Sequence, residues 1–391
     1  MAETGSLSQT LSETVTLSRE LREEGQIDGQ VKLYNVDDDG EFESDATLFF
    51  ERTLMTQGLR EALTILRDSL TGDDPRGTHI LYGPYGSGKS HQMVALYHCF
   101  DDPTAASDWA ADSVDGFDTA LPESTTPITV AMQNEQYEYL WEPFFGALDY
   151  DPGTYESGGY PDMQTIQDAV GDDTVAFFVD ELEDWFDTLQ GDRKSANKAF
   201  LQSLLESTAL SELELYTIVS VLREGSEVHD ILNREQAVEV NMNNQVDKRE
   251  VLRHRLIDSV DQSAARDIVN TYFDAYDQSD HVDLPDDLLS EMHGLYPFHP
   301  VLLDALETRY YADEGNQNTR GMIYLFSKVL LEMRDQTDLI THGDIDAIEF
   351  EDELAKINYE RLNAATGDIN NRVDTDEVPH GRRIINTILL Y

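Results

Sequence analysis

The chain has 391 residues, and its 78 acidic against 27 basic side chains give a formal net charge of −51. Such acidity argues against broad, non-specific coating of DNA, which needs a positive face to release counterions, although it does not exclude a small local basic site. A single cysteine, Cys99, excludes an internal disulfide and fits a reducing cytoplasm. Neither an apolar run of about eighteen residues nor an N-terminal secretory pattern is present, so we expect a cytoplasmic protein without membrane association.

The acidic residues are spread through periodic segments that also contain aromatic residues. Acids gathered in one block would indicate a disordered tail, whereas this even spread favours the solvated surface of a halophile's protein, with a haloarchaeon as the expected source. In molar salt the Debye length falls to roughly 3 Å, which screens the self-repulsion of such a surface. The alternative is an acidic protein from a mesophile.

The region before the first predicted strand has helical apolar spacing. Residues 7–23 and 47–70 are predicted as helices, with an acidic loop over 34–46 between them. The segment 71–75, which reads Thr-Gly-Asp-Asp-Pro, is a clear helix stop.

Short apolar strands then alternate with helices. Strands are predicted at 79–82, 127–132, 174–179 and 215–222, with a weaker strand pattern at 237–241. Helices are predicted at 88–99, 135–148, 163–170, 193–209 and 246–258, an acidic linker at 101–125 and a loop at 149–161. Fully apolar strands that alternate with helices indicate a parallel sheet covered on both faces.

Beyond about residue 262 the pattern is helical throughout. Helices are predicted at 263–276, 285–292, 298–310, 318–334 and 351–363. We therefore predict an N-terminal helical and acidic segment (1–46), a core (47–260) and a helical lid domain (261–391). Because the chain stops inside the apolar run RRIINTILLY, we expect it to be truncated or to continue into a further domain.

The strongest motif is the segment Gly83-Pro84-Tyr85-Gly86-Ser87-Gly88-Lys89-Ser90, which matches the Walker A pattern G-x-x-x-x-G-K-[ST]. Its glycines allow successive backbone N–H groups to point at phosphate oxygens, and the helix that follows adds a favourable dipole. Lys89 would reach the β- and γ-phosphates, and the Ser90 hydroxyl would bind Mg²⁺. We assign residues 83–91, including His91, to the nucleotide. Without an N-K-x-D guanine motif, we expect ATP.

The run TVAFFVDELED over 174–184 delivers Asp180 and Glu181 to the carboxyl edge of a central strand, where open α/β sheets hold their ligands. In this Walker B position Asp180 would hold Mg²⁺ through its water shell, and Glu181 would activate the attacking water. An apolar strand ending in Asp-Glu is common by itself, but its place after a P-loop favours the catalytic interpretation.

The run LYTIVSVLREG over 215–225 is the third motif, and it is predicted to form another buried strand. In P-loop ATPases of the ASCE type, the strand between the two motif-bearing strands presents a polar residue to the γ-phosphate. Ser220 or Thr217 could serve, and either could equally be a core hydroxyl. The three motifs together predict an α/β fold of the AAA+ (ASCE) P-loop NTPase class, with a helix-covered parallel sheet followed by an all-helical lid domain.

Arginines are the candidates for stabilising charge on the transferred phosphoryl group. Arg320, at the start of an amphipathic lid helix, is predicted as the lid contact, and Arg223 is a further finger candidate. The segment KREVLRHR over 248–255 could supply a finger to a neighbouring subunit or contact nucleic-acid phosphates; surface ion pairs with the surplus carboxylates are the favoured alternative. Histidine and cysteine positions show no metal-ligand spacing, and Cys99 is predicted to lie in the core.

Several stretches resemble one family. TLFFERTLMTQGLREAL, GKSHQMVALYHCF, YPFHPVLLDAL and NTRGMIYLFSKVL, together with His91 after Ser90, resemble the PglY/BrxC-type AAA+ ATPases of BREX phage-exclusion systems. The resemblance covers most of residues 20–391. The P-loop departs from the family's Gly-Gly-Gly-Lys-Thr tendency by reading Gly-Ser-Gly-Lys-Ser, and family members extend far beyond residue 391.

The resemblance implies an ATPase in a multi-component antiviral defence cassette. Its partners would be further copies of itself, a DNA methyltransferase and an alkaline-phosphatase-like protein, with DNA contacted directly or indirectly. Two alternatives stay open: a DNA-loading ATPase of the origin-recognition kind, and a scaffold that binds ATP with little turnover.

Overall fold

The computed structural model describes residues 9–132, 137–155, 158–210, 212–234, 237–241, 245–279, 283–309, 318–372 and 380–390. The chain forms two compact units. We call residues 31–244 the sheet unit, and residues 1–30 together with 245–391 the helical unit. In the described ranges, no helix has the length and apolar character needed to cross a bilayer.

The strands of the described residues are β1 Val15–Leu17, β2 Thr78–Tyr82, β3 Thr126–Ala131, β4 Val175–Asp180, β5 Leu215–Val221, β6 Val238–Asn241 and β7 Ile257–Val260. The helices of the sheet unit are α3 Ala46–Glu51, α4 Gln57–Thr71, α5 Lys89–Asp101, α6 Pro103–Ala110, α7 Phe117–Ala120, α8 Trp141–Ala147, α9 Met163–Val170, α10 Leu182–Thr188, α11 Gly191–Thr208 and α12 Glu227–Arg234. Short 3-10 turns cover Leu33–Asp37 and Phe42–Ser44. The helices of the helical unit are α1 Leu11–Thr14, α2 Arg19–Glu24, α13 Gln245–Leu256, α14 Gln262–Asp277, α15 Leu288–Leu295, α16 Pro300–Arg309, α17 Asn318–Met333, α18 Glu351–Arg372 and α19 Gly381–Leu390, with a 3-10 turn at His342–Asp344.

The sheet unit contains one five-stranded parallel sheet with the order β3-β4-β5-β2-β6. Strand β5 therefore lies between β2, which leads into the P-loop, and β4, which ends at Asp180. Alternate residues of the strands enter two separate apolar clusters: Ile80 belongs to one and Leu81 to the other. Helices cover both faces, so the predicted sandwiched parallel sheet is confirmed and the fold is of the AAA+ (ASCE) class.

Local sequence explains where several helices of the sheet unit begin and end. Thr56 caps α4 by accepting the Leu59 N–H at 3.1 Å, and Gly72 ends the helix in the left-handed conformation at φ 78°. Asp102 caps α6 by accepting the Ala105 N–H at 3.0 Å. The predicted helix 47–70 is thus two helices, α3 and α4, and the predicted linker 101–125 holds α6 and α7, which pack on one face of the sheet.

The helical unit has its own apolar core, built from both ends of the chain. The predicted helix over 7–23 is wrong: residues 15–17 form β1, which pairs antiparallel with β7, and short helices flank it. Pairing of β1 with β7 joins segments about 240 residues apart, and Val15 and Thr16 are β-branched residues that suit a strand.

The unit boundaries also differ from the predicted division at 46/47 and 260/261. The compact units separate at 30/31 and 244/245, and the N-terminal residues join the helices that follow residue 245. Helix α13 corresponds to the last helix predicted for the core. It packs against α17 and α2 and therefore belongs to the helical unit. The physical reason is the shared apolar core, since Leu21, Leu252 and Phe326 lie in one cluster.

Candidate phosphate-binding site

The P-loop connects β2 to α5 at the carboxyl edge of the sheet. The Gly83 N–H donates to the Val221 carbonyl at 3.2 Å, which ties the start of the loop to the end of β5. Gly86 and Gly88 have φ angles of 69° and 96°, a left-handed conformation that side chains other than hydrogen disfavour. Helix α5 begins at Lys89, so its N-terminus faces the loop.

The Lys89 side chain lies inside the loop. Its Nζ donates to the Gly83 carbonyl at 2.6 Å and to the Pro84 carbonyl at 3.0 Å. Burial lowers the pKa of Lys89, and the nearby carboxylates Asp180 and Glu181 oppose that shift. The ammonium group is therefore held where a phosphate group on the loop would meet it.

Asp180 is the point at which the three predicted motifs meet. Ser90 donates its hydroxyl to Asp180 Oδ2 at 2.8 Å, across ninety positions of sequence. Ser220 donates to the other oxygen, Oδ1, which also accepts the Glu181 N–H at 3.0 Å. The predicted Walker A serine, Walker B aspartate and β5 hydroxyl thus form one cluster.

Glu181 adopts a backbone conformation that a non-glycine residue rarely takes. Its φ is 58°, and its N–H is held by Asp180 Oδ1 and by the Ser220 hydroxyl at 3.1 Å. Strained positions of this kind concentrate at functional sites. Burial raises the pKa of Glu181 to about 7, and the neighbouring Asp180 and Asp184 carboxylates add to the shift.

Of the two hydroxyls proposed for β5, the geometry favours Ser220. Ser220 pairs in register with Leu81, near the P-loop end of β2, whereas Thr217 pairs with Thr78 at the opposite end. Thr217 is fully buried, and its hydroxyl has no hydrogen-bond partner within the described ranges. Thr217 is therefore a core residue, which is the second possibility that the sequence left open for it.

The His91 side chain contacts Phe49 of α3 and Thr53, which follows that helix. Its Nε2 is 2.8 Å from the Thr53 hydroxyl, and its ring lies 4.8 Å from that of Phe49. The side chain thereby joins the first turn of α5 to α3. Contact of this side chain with nucleotide stays a prediction.

Arg320 and the segment 248–255 lie in the helical unit, whereas the other finger candidate, Arg223, lies in the sheet unit. Arg320, on α17, donates to Asp28 at 2.8 Å and to Gln30 at 3.1 Å. Its assignment as a lid contact stays a prediction.

The segment 248–255 is largely engaged within the helical unit. Arg249 pairs with Glu307 at 2.7 Å, and Arg255 pairs with Glu20 at 2.7 Å. These contacts favour the ion-pair interpretation, but Arg255 is buried and Arg249 is mostly covered, so the pairs are not the surface pairs that the sequence suggested.

Two contacts of helix α10 were not anticipated from the sequence. Tyr85 of the P-loop donates its hydroxyl to Asp184 at 2.5 Å, and this bond raises the pKa of Tyr85 to about 12. Glu183 is buried and accepts hydrogen bonds from Arg223. The signal available in the sequence was the acidic run directly after Asp180, which reads as a solvated helix start.

Comparisons with known proteins give two domain matches. Residues 20–136 match the DUF499 N-terminal domain, and residues 243–354 match the DUF499 second domain. The comparison with curated proteins finds no match.

Several solved structures are similar at low identity. A variant of RuvB from Thermotoga maritima is 12% identical with a TM-score of 0.38, over 82% of this chain and 80% of that one. ORC2 from Aeropyrum pernix, in ADPNP–ADP complexes, is 14% identical with a TM-score of 0.39, over 88% and 73%. Drosophila ORC bound to DNA is 11% identical with a TM-score of 0.39, over 86% and 74%.

All three scores lie below 0.5, so the fold assignment rests on the strand order and on the position of the P-loop described above. The chain carries a DUF499 N-terminal domain over residues 20–136, which include the P-loop, followed by a DUF499 second domain over residues 243–354.

Proposed function

We propose that this chain binds ATP with Mg²⁺ and hydrolyses it. The observation that carries the proposal is the 2.8 Å contact between the Ser90 hydroxyl and Asp180, at the mouth of a P-loop that already encloses Lys89. A hydroxyl and a carboxylate are the hard oxygen ligands that Mg²⁺ prefers.

The loop itself fits a chain of phosphates. The Ser87 hydroxyl is shielded from solvent and has no hydrogen-bond partner in the part of the chain that the structure describes. Buried polar groups in proteins are normally satisfied, so an orphaned hydroxyl in a P-loop indicates a missing acceptor. Bound Mg²⁺ would neutralise phosphate charge and so favour attack at the terminal phosphorus.

Glu181 is proposed as the group that orients water and takes its proton. The water oxygen forms a bond to the γ-phosphorus while the bond to the β,γ-bridging oxygen breaks, and ADP leaves with that electron pair. Ser220 holds the backbone N–H of Glu181, which keeps the carboxylate at the sheet edge. Lys89 would stabilise the negative charge of the transferred group.

The Glu181→Gln variant tests this function. Hydrolysis is expected to fall about 100-fold or more, because the amide cannot accept the proton, while the affinity for ATP stays within about threefold. Glu61→Gln, an exposed change on α4 of the same unit, is the matched control and should leave both values unchanged. Phosphate release and nucleotide binding would be measured in about 2 M KCl.

The same experiment separates hydrolysis from scaffolding. If wild-type protein and Glu181→Gln bind ATP equally and release phosphate at the same slow rate, the chain is an ATP-binding scaffold and not an ATPase.

The finer proposal places this activity in an anti-phage DNA-modification or exclusion system. It is supported by the sequence resemblance at Phe49–Phe50, at His91 after Ser90 and at 296–300. Partners would be further copies of the chain, a methyltransferase and a phosphatase-like protein. In host cells carrying the system, Glu181→Gln is expected to raise phage plating to the level of a deletion, and unchanged plating would contradict the role. Neighbouring genes for a methyltransferase and a phosphatase-like protein would support the defence role, whereas a DNA-binding winged-helix domain in the same polypeptide would favour DNA loading.

The net charge supports a proposed halophilic origin. Screening by molar salt is expected to raise the unfolding midpoint of this chain steeply between about 0.1 and 2 M KCl, because self-repulsion among the carboxylates is strongest at low salt. A midpoint that does not change over this range would contradict the proposal.

A further inference from the structure

Arg223 is the cation that lies beside the acidic helix α10, directly after β5. Its Nε donates to Glu183 at 2.7 Å, one terminal nitrogen donates to Asp187 at 2.9 Å, and that nitrogen lies 3.9 Å from Asp184. The Arg223 side chain is 52% exposed, so its terminal nitrogens are free to exchange partners. One guanidinium is thus shared among three carboxylates.

Glu183 anchors Arg223 from its buried end. The Glu183 side chain is 3% exposed, and its Oε2 accepts the backbone N–H groups of Leu222 at 2.9 Å and of Arg223 at 3.1 Å. Together with the bond from Arg223 Nε, these contacts fix the residues that follow Ser220 against the helix that follows Glu181. The stem of Arg223 is therefore held while its outer end stays at the surface.

The outer end of Arg223 is one carboxylate away from the P-loop. Asp184 lies between them: one of its oxygens accepts the Tyr85 hydroxyl at 2.5 Å, and the other lies 3.9 Å from the Arg223 guanidinium. Tyr85 is the third residue of the loop and is 40% exposed. Any charge added at this end of the loop therefore competes with Asp184 and Asp187 for the guanidinium.

We propose that Arg223 discriminates ATP from ADP within its own subunit, by turning from the carboxylates of α10 to the third phosphate. The inference rests on the proposed ATP binding and adds a residue to it. A guanidinium can donate to two oxygens of a phosphoryl group at once, which suits a charged, multi-oxygen target. ADP lacks that group, so with ADP bound Arg223 keeps Asp187 as its partner.

Glu183 is a positioning residue in this scheme, since it acts on nucleotide only through Arg223. Its buried carboxylate keeps the stem of Arg223 in place in both states. Lys89 is a cation of the P-loop itself, and it would contact phosphates that ATP and ADP share as well as the third phosphate of ATP.

The test compares dissociation constants for ATP and ADP, with Mg²⁺ present, among wild type, Arg223→Ala, Arg223→Lys and Glu183→Gln. ATP binding by Arg223→Ala is expected to weaken about tenfold or more, with ADP binding within about threefold of wild type. Arg223→Lys should recover part of the loss, and Glu183→Gln should lower the ATP-to-ADP preference less than Arg223→Ala does. The control is Arg76→Ala, which removes an exposed pair with Asp74 before β2.

An equal loss of ATP and ADP affinity in Arg223→Ala would overturn the inference, because it would show that the residue only supports the loop. The inference would also be overturned if Arg223→Ala bound ATP and ADP as tightly as Arg76→Ala does. Arg223 would then be only a member of a surface ion pair. If Arg223→Ala does not fold, Arg223→Gln answers the same question. Failure of wild type to bind either nucleotide would instead refute the proposed function.

Discussion

In the helical unit, several cations pair with carboxylates, and one of these pairs is enclosed. Arg255 and Glu20 form an ion pair whose side chains are 5% and 8% exposed. Lys328 pairs with Glu353, and Arg382 pairs with Asp346. In the P-loop of the sheet unit, Lys89 instead donates to two backbone carbonyls, Gly83 and Pro84.

This difference separates structural from functional cations in so acidic a chain. In an enclosed ion pair the carboxylate already balances the charge of the cation, so removal of the cation should change the stability of the protein. A buried lysine that donates to carbonyl oxygens is not bonded directly to a carboxylate, so it can donate to an anionic ligand, and its removal should change binding.

The largest expected effect is on the enclosed pair. Arg255→Met leaves Glu20 as a buried carboxylate without its cation, so the free energy of unfolding should fall by about 3–5 kcal/mol. Denaturant unfolding at fixed salt measures it. The double change Arg255→Met with Glu20→Leu should restore much of the loss, because it removes both charges; a double variant no more stable than the single one would contradict this account.

His79, on β2 of the sheet unit, is a buried titratable group that contrasts with the ion-paired Arg255 and Glu20. Burial lowers the pKa of His79 to about 4, and its Nε2 has no hydrogen-bond partner among the described residues. Because the folded state takes up this proton at lower pH than the unfolded state does, His79 should leave stability unchanged above about pH 6.5 and lower it as the pH falls toward 4. At about pH 5 the loss should be about 2 kcal/mol relative to pH 7.

The comparison variant for this pH effect is His79→Phe, which removes the proton-binding group. Denaturant unfolding at several pH values would give the pH dependence of the unfolding free energy for the wild type and for His79→Phe. The difference in unfolding free energy between wild type and variant should change by about 2 kcal/mol from pH 7 to pH 5, and parallel pH curves would contradict the assignment.

The backbone at Glu181 should show the cost of a functional conformation. At φ 58°, alanine is disfavoured and glycine is not, so Glu181→Gly should be more stable than Glu181→Ala by about 1 kcal/mol. Both variants lack the carboxylate, so their hydrolysis rates should be equally low. Thermal or denaturant unfolding of the two variants measures the difference, and equal stability would show that the position is unstrained.

The smallest effect is expected for an exposed pair of the helical unit. Arg19 and Glu23 lie one turn apart on α2, with side chains 69% and 61% exposed. Arg19→Ala should change the free energy of unfolding by less than about 0.5 kcal/mol, and by less still in molar salt. A loss comparable to that of Arg255→Met would show that exposure does not separate the two kinds of pair.

Much of the site could be predicted because its signals are local. The glycine spacing of the P-loop and the apolar strand before Asp180 are each contiguous in sequence, and the strand arrangement of ASCE-type ATPases predicted β5 between the two strands that carry them. Ser220 could be chosen over Thr217 only with the register, since both are hydroxyls in the same apolar run.

The parts that failed depend on partners distant in sequence. Helix 7–23 was wrong because β1 is set by pairing with β7, which local periodicity cannot reveal. The basic run at 248–255 looked like one exposed face, yet Arg255 and Arg249 find Glu20 and Glu307 far along the chain. Glu183 was overlooked because an acidic residue at a helix start is ordinarily solvated.

The most direct test of the central claim is titration of Lys89→Ala with ATP and Mg²⁺ in about 2 M KCl, beside wild type and Lys194→Ala. Lys194 pairs with Glu227 at 2.9 Å and is the control for loss of a lysine in the same unit. We expect wild type and Lys194→Ala to bind ATP, and Lys89→Ala to bind it at least about tenfold more weakly with an unchanged unfolding midpoint. Equal ATP affinity in all three proteins, or no binding by folded wild type, would contradict the account.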